Sequence, residues 1–118
     1  MLKQIIVLPS VLLIALTTNA LPSHAQRVPG SRSLITLGRA ENLAREAAEK
    51  ANGGLQNYRA ENSMYGPAQS SPHIYDGHGT WTFSFKGHRP DSRTPTVKSV
   101  VTVSRSGIVN VNYNGPIR

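Results

Sequence analysis

The stretch Gly79-Thr80-Trp81-Thr82-Phe83-Ser84-Phe85-Lys86 alternates residue by residue between large aromatic and polar side chains. A period of two places Trp81, Phe83 and Phe85 on one face of a β-strand and Thr80, Thr82, Ser84 and Lys86 on the other. An aromatic face of that size has to be covered, and the chain upstream supplies the cover. Between Thr36 and Asn52, Leu37, Ala40, Leu43, Ala44, Ala47, Ala48 and Ala51 recur at three- and four-residue steps, the period of one helix face. Glu41, Arg45, Glu46, Glu49 and Lys50 fall mainly on the opposite face, with Glu41–Arg45 and Glu46–Lys50 spaced as favourable pairs. Thr36 caps the start, and Asn52-Gly53-Gly54 supplies the left-handed residue that ends the helix. A stripe of alanines is smooth and shallow, so this helix is expected to lie close against a sheet.

Downstream of the aromatic strand, Val97–Val103 and Ile108–Tyr113 form a second pair of strands joined by Ser104-Arg105-Ser106-Gly107. Gly107 can take positive φ in a short hairpin loop, so the two are expected to be antiparallel neighbours. Val101, Val103, Val109, Val111 and Tyr113 would form one continuous apolar face, and residues 114–118 would turn away from the sheet. Upstream, Leu55–Met64 reads as a weakly patterned strand. Tyr65–His78, with Gly66, Pro67, Pro72 and Gly77, reads as a long loop. The expected fold is α+β: one N-terminal helix packed on a three- to four-stranded antiparallel sheet.

Residues 1–25 read as a signal peptide. Lys3 provides a short basic start, an apolar run follows from Ile5 to Leu16, and Ser23-His24-Ala25 is a small-x-small cleavage site. The apolar run is short for a membrane span and is interrupted by Pro9, which disfavours an uncleaved anchor. There is no twin arginine and no cysteine, which points to Sec-type export without lipid attachment and to a domain held by packing alone. Cleavage after Ala25 would deliver the protein to the periplasm or the exterior with no membrane span left. Removing 25 of 118 residues leaves 93, enough for a flexible leader at 26–35 and a single domain at 36–118.

Lys3 leaves with the signal, so the mature chain keeps 12 of 13 Lys and Arg and all 6 Asp and Glu, a net +6. Nine of the twelve are arginines, which suit planar contacts to carboxylate or phosphate. They are spread from Arg27 to Arg118 without a basic run, so a specific nucleic-acid site is not indicated. An anionic polymer or lipid head groups remain an alternative partner for the basic surface, alongside charge that serves only solubility.

Few residues suggest chemistry. His73, Asp76 and His78 lie within six residues and His88 ten further on, a set that could hold zinc, although its loop spacing matches no rigid ligand frame. No serine stands in a nucleophile elbow, and the two aspartates, Asp76 and Asp91, do not form a paired acid and base. The expected protein is therefore not an enzyme and takes no cofactor. Trp81, Phe83 and Phe85 are needed for the core before they can serve as a stacking platform. Tyr65 and Tyr75 flank the long loop and, with Arg89 and Arg93, are the candidate binding residues.

The alanine-rich helix Ala40–Ala51, its Gly53-Gly54 stop, the Trp81-Phe83-Phe85 strand and the closing hairpin Val101–Val109 together resemble the small exported PepSY-like domains. The likeness covers roughly residues 36–113 and implies a cystatin-like arrangement of one helix on a curved antiparallel sheet. Where members often carry an acidic residue before the closing turn, this chain has Ser104 and Arg105. Such domains are proposed to bind or restrain peptidases or other envelope proteins, and the family supplies no catalytic residues. The resemblance therefore implies a binding module whose partner is an envelope or extracellular protein or peptide.

Overall fold

The computed structural model describes residues 33–118. The expected signal peptide, cleavage site and most of the expected leader lie outside them. Helix α1 (Leu37–Ala51) is followed by β1 (Arg59–Ala60), 3-10 turns at Asn62–Met64 and Ala68–Ser70, and then β2 (His73–Tyr75), β3 (Thr80–His88), β4 (Val97–Ser104) and β5 (Val109–Pro116). All strand pairs are antiparallel: β3, β4 and β5 are sequential neighbours, while β1 and β2 both pair with the far side of β3, at opposite ends. The fold is α+β, one helix across one face of a five-stranded sheet.

Both ends of α1 are built as the sequence dictates. The Thr36 hydroxyl accepts the Arg39 amide at 3.1 Å, a cap that stabilises by about 1 kcal/mol. At the other end Gly54 N donates to Glu49 O (2.7 Å) and Gly53 N to Lys50 O (3.3 Å), the paired bonds of a Schellman motif, with Gly53 at φ 90°. Ala40, Ala44 and Ala48 are fully buried against Phe83, Phe85, Val101, Val103, Tyr58 and Met64. With only methyl groups at the fully buried helix positions, most of the volume is filled from the facing side chains, and each large side chain so buried contributes about 1.5–3 kcal/mol.

Four details depart from the expected pattern. The strand expected over 55–64 shrinks to Arg59–Ala60, because Gly53 and Gly54 extend the helix stop into a turn closed by Asn57 N to Gly54 O (3.0 Å), and a 3-10 turn starts at Asn62. The expected loop at 65–78 contains β2, paired with Trp81–Phe83. Residues 114–116 do not leave the sheet; they pair with Val97–Ser99. Finally, Asn112 is the extra residue of a β-bulge: Val111 faces Val101, but Tyr113 faces Val100. The bulge moves Tyr113 to the outer face, away from the apolar face on which alternation had placed it, and brings Asn114 to the helix side.

That switch closes a polar bridge. Asn52, the helix C-cap, and Asn114 exchange two side-chain hydrogen bonds of 3.0 Å. Buried Ser99 donates to Asn114 Oδ1 (2.7 Å), and Asn52 also donates to Ala48 O (2.7 Å). Opposite it, the ring of Tyr58 lies flat over Gly87. A Cβ at Gly87 would sit 2.5 Å from Tyr58 Cζ and 2.6 Å from its hydroxyl oxygen. The glycine is there for close approach, since no φ constraint applies to it.

Two outcomes follow from this packing. Gly87→Ala should lower stability by about 3 kcal/mol in urea unfolding, and far less in a Tyr58→Ala background, since the clash needs both partners. Burial, opposed by the Ser99 hydroxyl, pushes the Tyr58 phenol from 10.0 up to about 12, and its hydroxyl has no hydrogen-bond partner among the described residues. The fold keeps that proton while the unfolded chain releases it, so stability should fall between about pH 10 and 12. Tyr58→Phe should flatten that part of a thermal-melt series against pH.

Candidate functional site

β2 is the element that organises the candidate site. It is held to β3 by a turn with Gly77 and Gly79 at positive φ, in which one carboxylate oxygen of Asp76 accepts the amides of His78 (2.6 Å) and Thr80 (3.1 Å). These two backbone donors, His78 first, hold the Asp76 carboxyl below its usual range. Asp76 thus acts as a turn cap. His73 faces the helix side, its ring 5.8 Å from that of Phe83 and its Nδ1 beside the Ser71 hydroxyl (3.1 Å) and carbonyl (2.9 Å). His88 stands five residues beyond Phe83 on β3, about 17 Å along the strand. The four candidate ligands are therefore not brought together, and among the described residues no three His, Asp or Glu converge on a metal-sized space.

The backbone of β2 is open on one side. Ser84 N donates to Pro72 O and Asp76 N to Thr80 O, so residues 72, 74 and 76 bond inward to β3 in alternation. His73 and Tyr75 are the intervening pairs, and their N–H and C=O groups point away from β3, where the sheet has no further strand. The side chains here are unusually apolar for an edge: Ile74 is 73 % exposed and Tyr75 42 %. Native edges are more often guarded by charge or proline.

Beside this edge, on the helix side, lies a cleft of about 440 Å³ lined by Leu34, Ile35, Leu37, Tyr75, Trp81 and Arg105. Tyr75 and Trp81, directly paired across β2 and β3, hold their rings 5.6 Å apart at 45°. The opposite wall is set by the chain entering α1, anchored where Ile35 N donates to Arg105 O (2.8 Å). The guanidinium of Arg105 has no ion-pair or hydrogen-bond partner among the described residues. Leu34, Leu37, Trp81 and Arg105 were not among the candidates from sequence, since three distant segments meet to form the cleft.

The remaining candidates fall elsewhere. Tyr65 is half exposed beneath the Arg45 guanidinium, 4.8 Å from its ring centre. Arg45 also bonds Met64 O (2.8 Å) and Asn42 and pairs with Glu49 (3.5 Å) in place of the expected Glu41, and the expected Glu46–Lys50 ion pair is not made either. Arg89 pairs with Asp91 (3.6 Å) in the exposed β3–β4 loop, and Arg93 lines a separate cleft of about 550 Å³ with Glu61 and His88. Neither arginine reaches Tyr65 or Tyr75 as part of one site.

Glu41, expected on the solvent face of the helix, is 4 % exposed, and its Oε2 has no hydrogen-bond partner. The 3-10 turns at Asn62–Met64 and Ala68–Ser70 pack against α1 and widen its covered face, and the charge of His73 also acts on Glu41. Burial raises its carboxyl above 4.5, opposed by Arg45 and His73.

In comparison with known proteins, no family model matches the sequence, and no curated protein or solved structure matches it significantly. Among the described residues no helix is long and apolar enough to cross a membrane.

The buried acid has a testable signature. Because its folded pKa lies above the unfolded value of 4.5, the native state holds the proton longer, and stability falls as the pH rises from 4.5 through the folded value. Glu41→Gln should therefore be more stable than the parent by about 1 kcal/mol at pH 7. Thermal melts should show that advantage vanishing below pH 4.5.

Proposed function

We propose that this protein is a non-enzymatic binding module that takes up an extended peptide segment by adding it as a strand to β2. The observation that carries the reading is the coincidence of an open backbone edge with a side-chain pocket. His73 and Tyr75 offer outward N–H and C=O groups, and the cleft of Tyr75, Trp81, Leu34 and Leu37 opens on the same side. In strand addition the main-chain bonds supply affinity and pockets for alternate side chains supply specificity. An apolar or aromatic residue of the peptide would enter the cleft, with Arg105 beside it to meet a carboxylate.

Export by the segment at 1–25 would place this module in the periplasm or outside the cell, where its partner is an envelope or extracellular protein. The PepSY-like pattern of Ala40–Ala51, Trp81-Phe83-Phe85 and the closing hairpin supports the same class of role, including restraint of a peptidase.

The test is selection of peptides from a displayed random library on the purified protein, followed by affinity measurement on variants. Tyr75→Pro removes an outward N–H without touching the β2–β3 bonds, a placement that edge strands tolerate. Leu34→Asp puts a charge in the cleft wall. Both should weaken the selected peptides about tenfold or more with little change in melting temperature. Selected peptides whose affinity ignored both changes would overturn strand addition at β2.

A further inference from the structure

The face of the sheet away from the helix carries a separate arrangement. Lys86 and Lys98 are directly opposed on β3 and β4 and both point outward, alternating with buried Phe85 and Ser99. Like charges placed opposite each other destabilise a sheet, and neither ammonium has an ion-pair partner among the described residues. Among the described residues the ion pairs are Arg45–Glu49 and Arg89–Asp91, neither of them here. The carboxylate of Glu61 is already occupied, by the backbone N–H of Lys86 (2.6 Å) and the hydroxyl of Ser63 (2.6 Å). The row continues to Gly115, which pairs with Lys98 and is overlain by Tyr113, whose hydroxyl lies 3.2 Å from where a Cβ would stand. Arg118 stacks on that ring, its guanidinium carbon 3.8 Å from the centroid.

Lys86, Lys98 and Arg118 therefore form a line of cations running across the strands. No acid interrupts it: the carboxylates sit on α1 (Glu41, Glu46, Glu49), after β1 (Glu61), and in the turns at Asp76 and Asp91, and β2 to β5 contain none. Beside the line the same face presents the hydroxyls of Thr82, Ser84 and Thr102.

We infer that this open face is a binding surface for a linear polysaccharide bearing carboxylates, laid across the strands with its charges on Lys86, Lys98 and Arg118. The step between strands, about 4.8 Å, is close to the length of one pyranose residue in an extended chain, so successive acidic sugars match successive cations. The hydroxyl rows suit sugar hydroxyls. A bilayer surface is the poorer fit, because Ile74, 73 % exposed on this face, lies near the opposite end of β3 from the two lysines. The surface is on the other side of the sheet from the peptide cleft and does not depend on it.

The experiment uses polygalacturonate as the probe, measured by affinity electrophoresis and titration calorimetry with the purified protein. Lys86→Gln/Lys98→Gln should weaken binding about tenfold or more and reduce its salt dependence, with an unchanged or slightly raised melting temperature. Arg39→Gln/Lys50→Gln removes the same charge from the exposed helix surface and should leave binding nearly unaltered, as should Tyr75→Pro. Equal losses in the two double variants would overturn the inference by reducing it to net charge. Absence of polygalacturonate binding would also overturn it, as would lysine-dependent binding to vesicles of phosphatidylglycerol and phosphatidylcholine that exceeded binding to the glycan.

Discussion

Everything in this fold depends on how closely the helix approaches the sheet, and that distance is set by three methyl groups. Ala40, Ala44 and Ala48 are completely buried and present no bulk, so the aromatic and valine side chains of β3 and β4, with Tyr58 and Met64, fill the space over this stripe, and Leu37 and Leu43 pack at its margins. Larger residues on the helix would lift it away. The lift would part Asn52 from Asn114, whose hydrogen bonds tolerate only a few tenths of an ångström, and would uncover Glu41. The polar contacts therefore report the fit between alanine and aromatic faces as much as they contribute to it. They also favour one placement of the helix, because a shift by one turn would break both hydrogen bonds between Asn52 and Asn114.

The parts of this architecture that were readable beforehand are those whose signals repeat. Seven apolar positions mark one helix face, and Trp81, Phe83 and Phe85 mark one strand face, so helix, caps, central strand and closing hairpin follow from periodicity and glycine chemistry. β2 was not readable, because three residues between Pro72 and Asp76 are too few to show a period, and their strand character comes from β3 offering an unpaired side. The bulge was hidden for a related reason: Val109-Asn110-Val111-Asn112-Tyr113-Asn114 alternates without a flaw, yet Asn114 is the residue the helix cap needs. Tertiary demand overrode local pattern there. Of the residues that line the cleft, Tyr75 is the one the sequence also marks as a binding candidate. Leu34, Trp81 and Arg105 could not be grouped without knowing that the approach to α1 runs beside the β4–β5 turn.

The two surfaces singled out differ in the physics they would use. The β2 edge offers directional backbone groups and a cleft walled mainly by aliphatic and aromatic side chains, so what binds there would be chosen by conformation and by one or two side chains. The outer face offers point charges on flexible stems over a flat hydroxyl-rich floor, a surface that reads charge spacing and responds to salt. Segregating carboxylates onto the helix and the turns keeps that face free of competing acids while the whole chain stays moderately basic.

The bulge at Asn112 also divides β5 into two segments read in opposite phase, one whose odd positions face the helix and one whose even positions do. Loss of Asn112 alone would leave Val111 opposite Val101 and Tyr113 opposite Val100, flattening the bulge with both faces kept, whereas loss of two residues there would turn Asn114 to the outer face. In the lineage of this chain, the spacing between Val111 and Asn114 is thus a length constraint that admits loss of the bulged residue and not of a pair. It weighs on length more heavily than on the identity of Asn112, whose side chain is exposed.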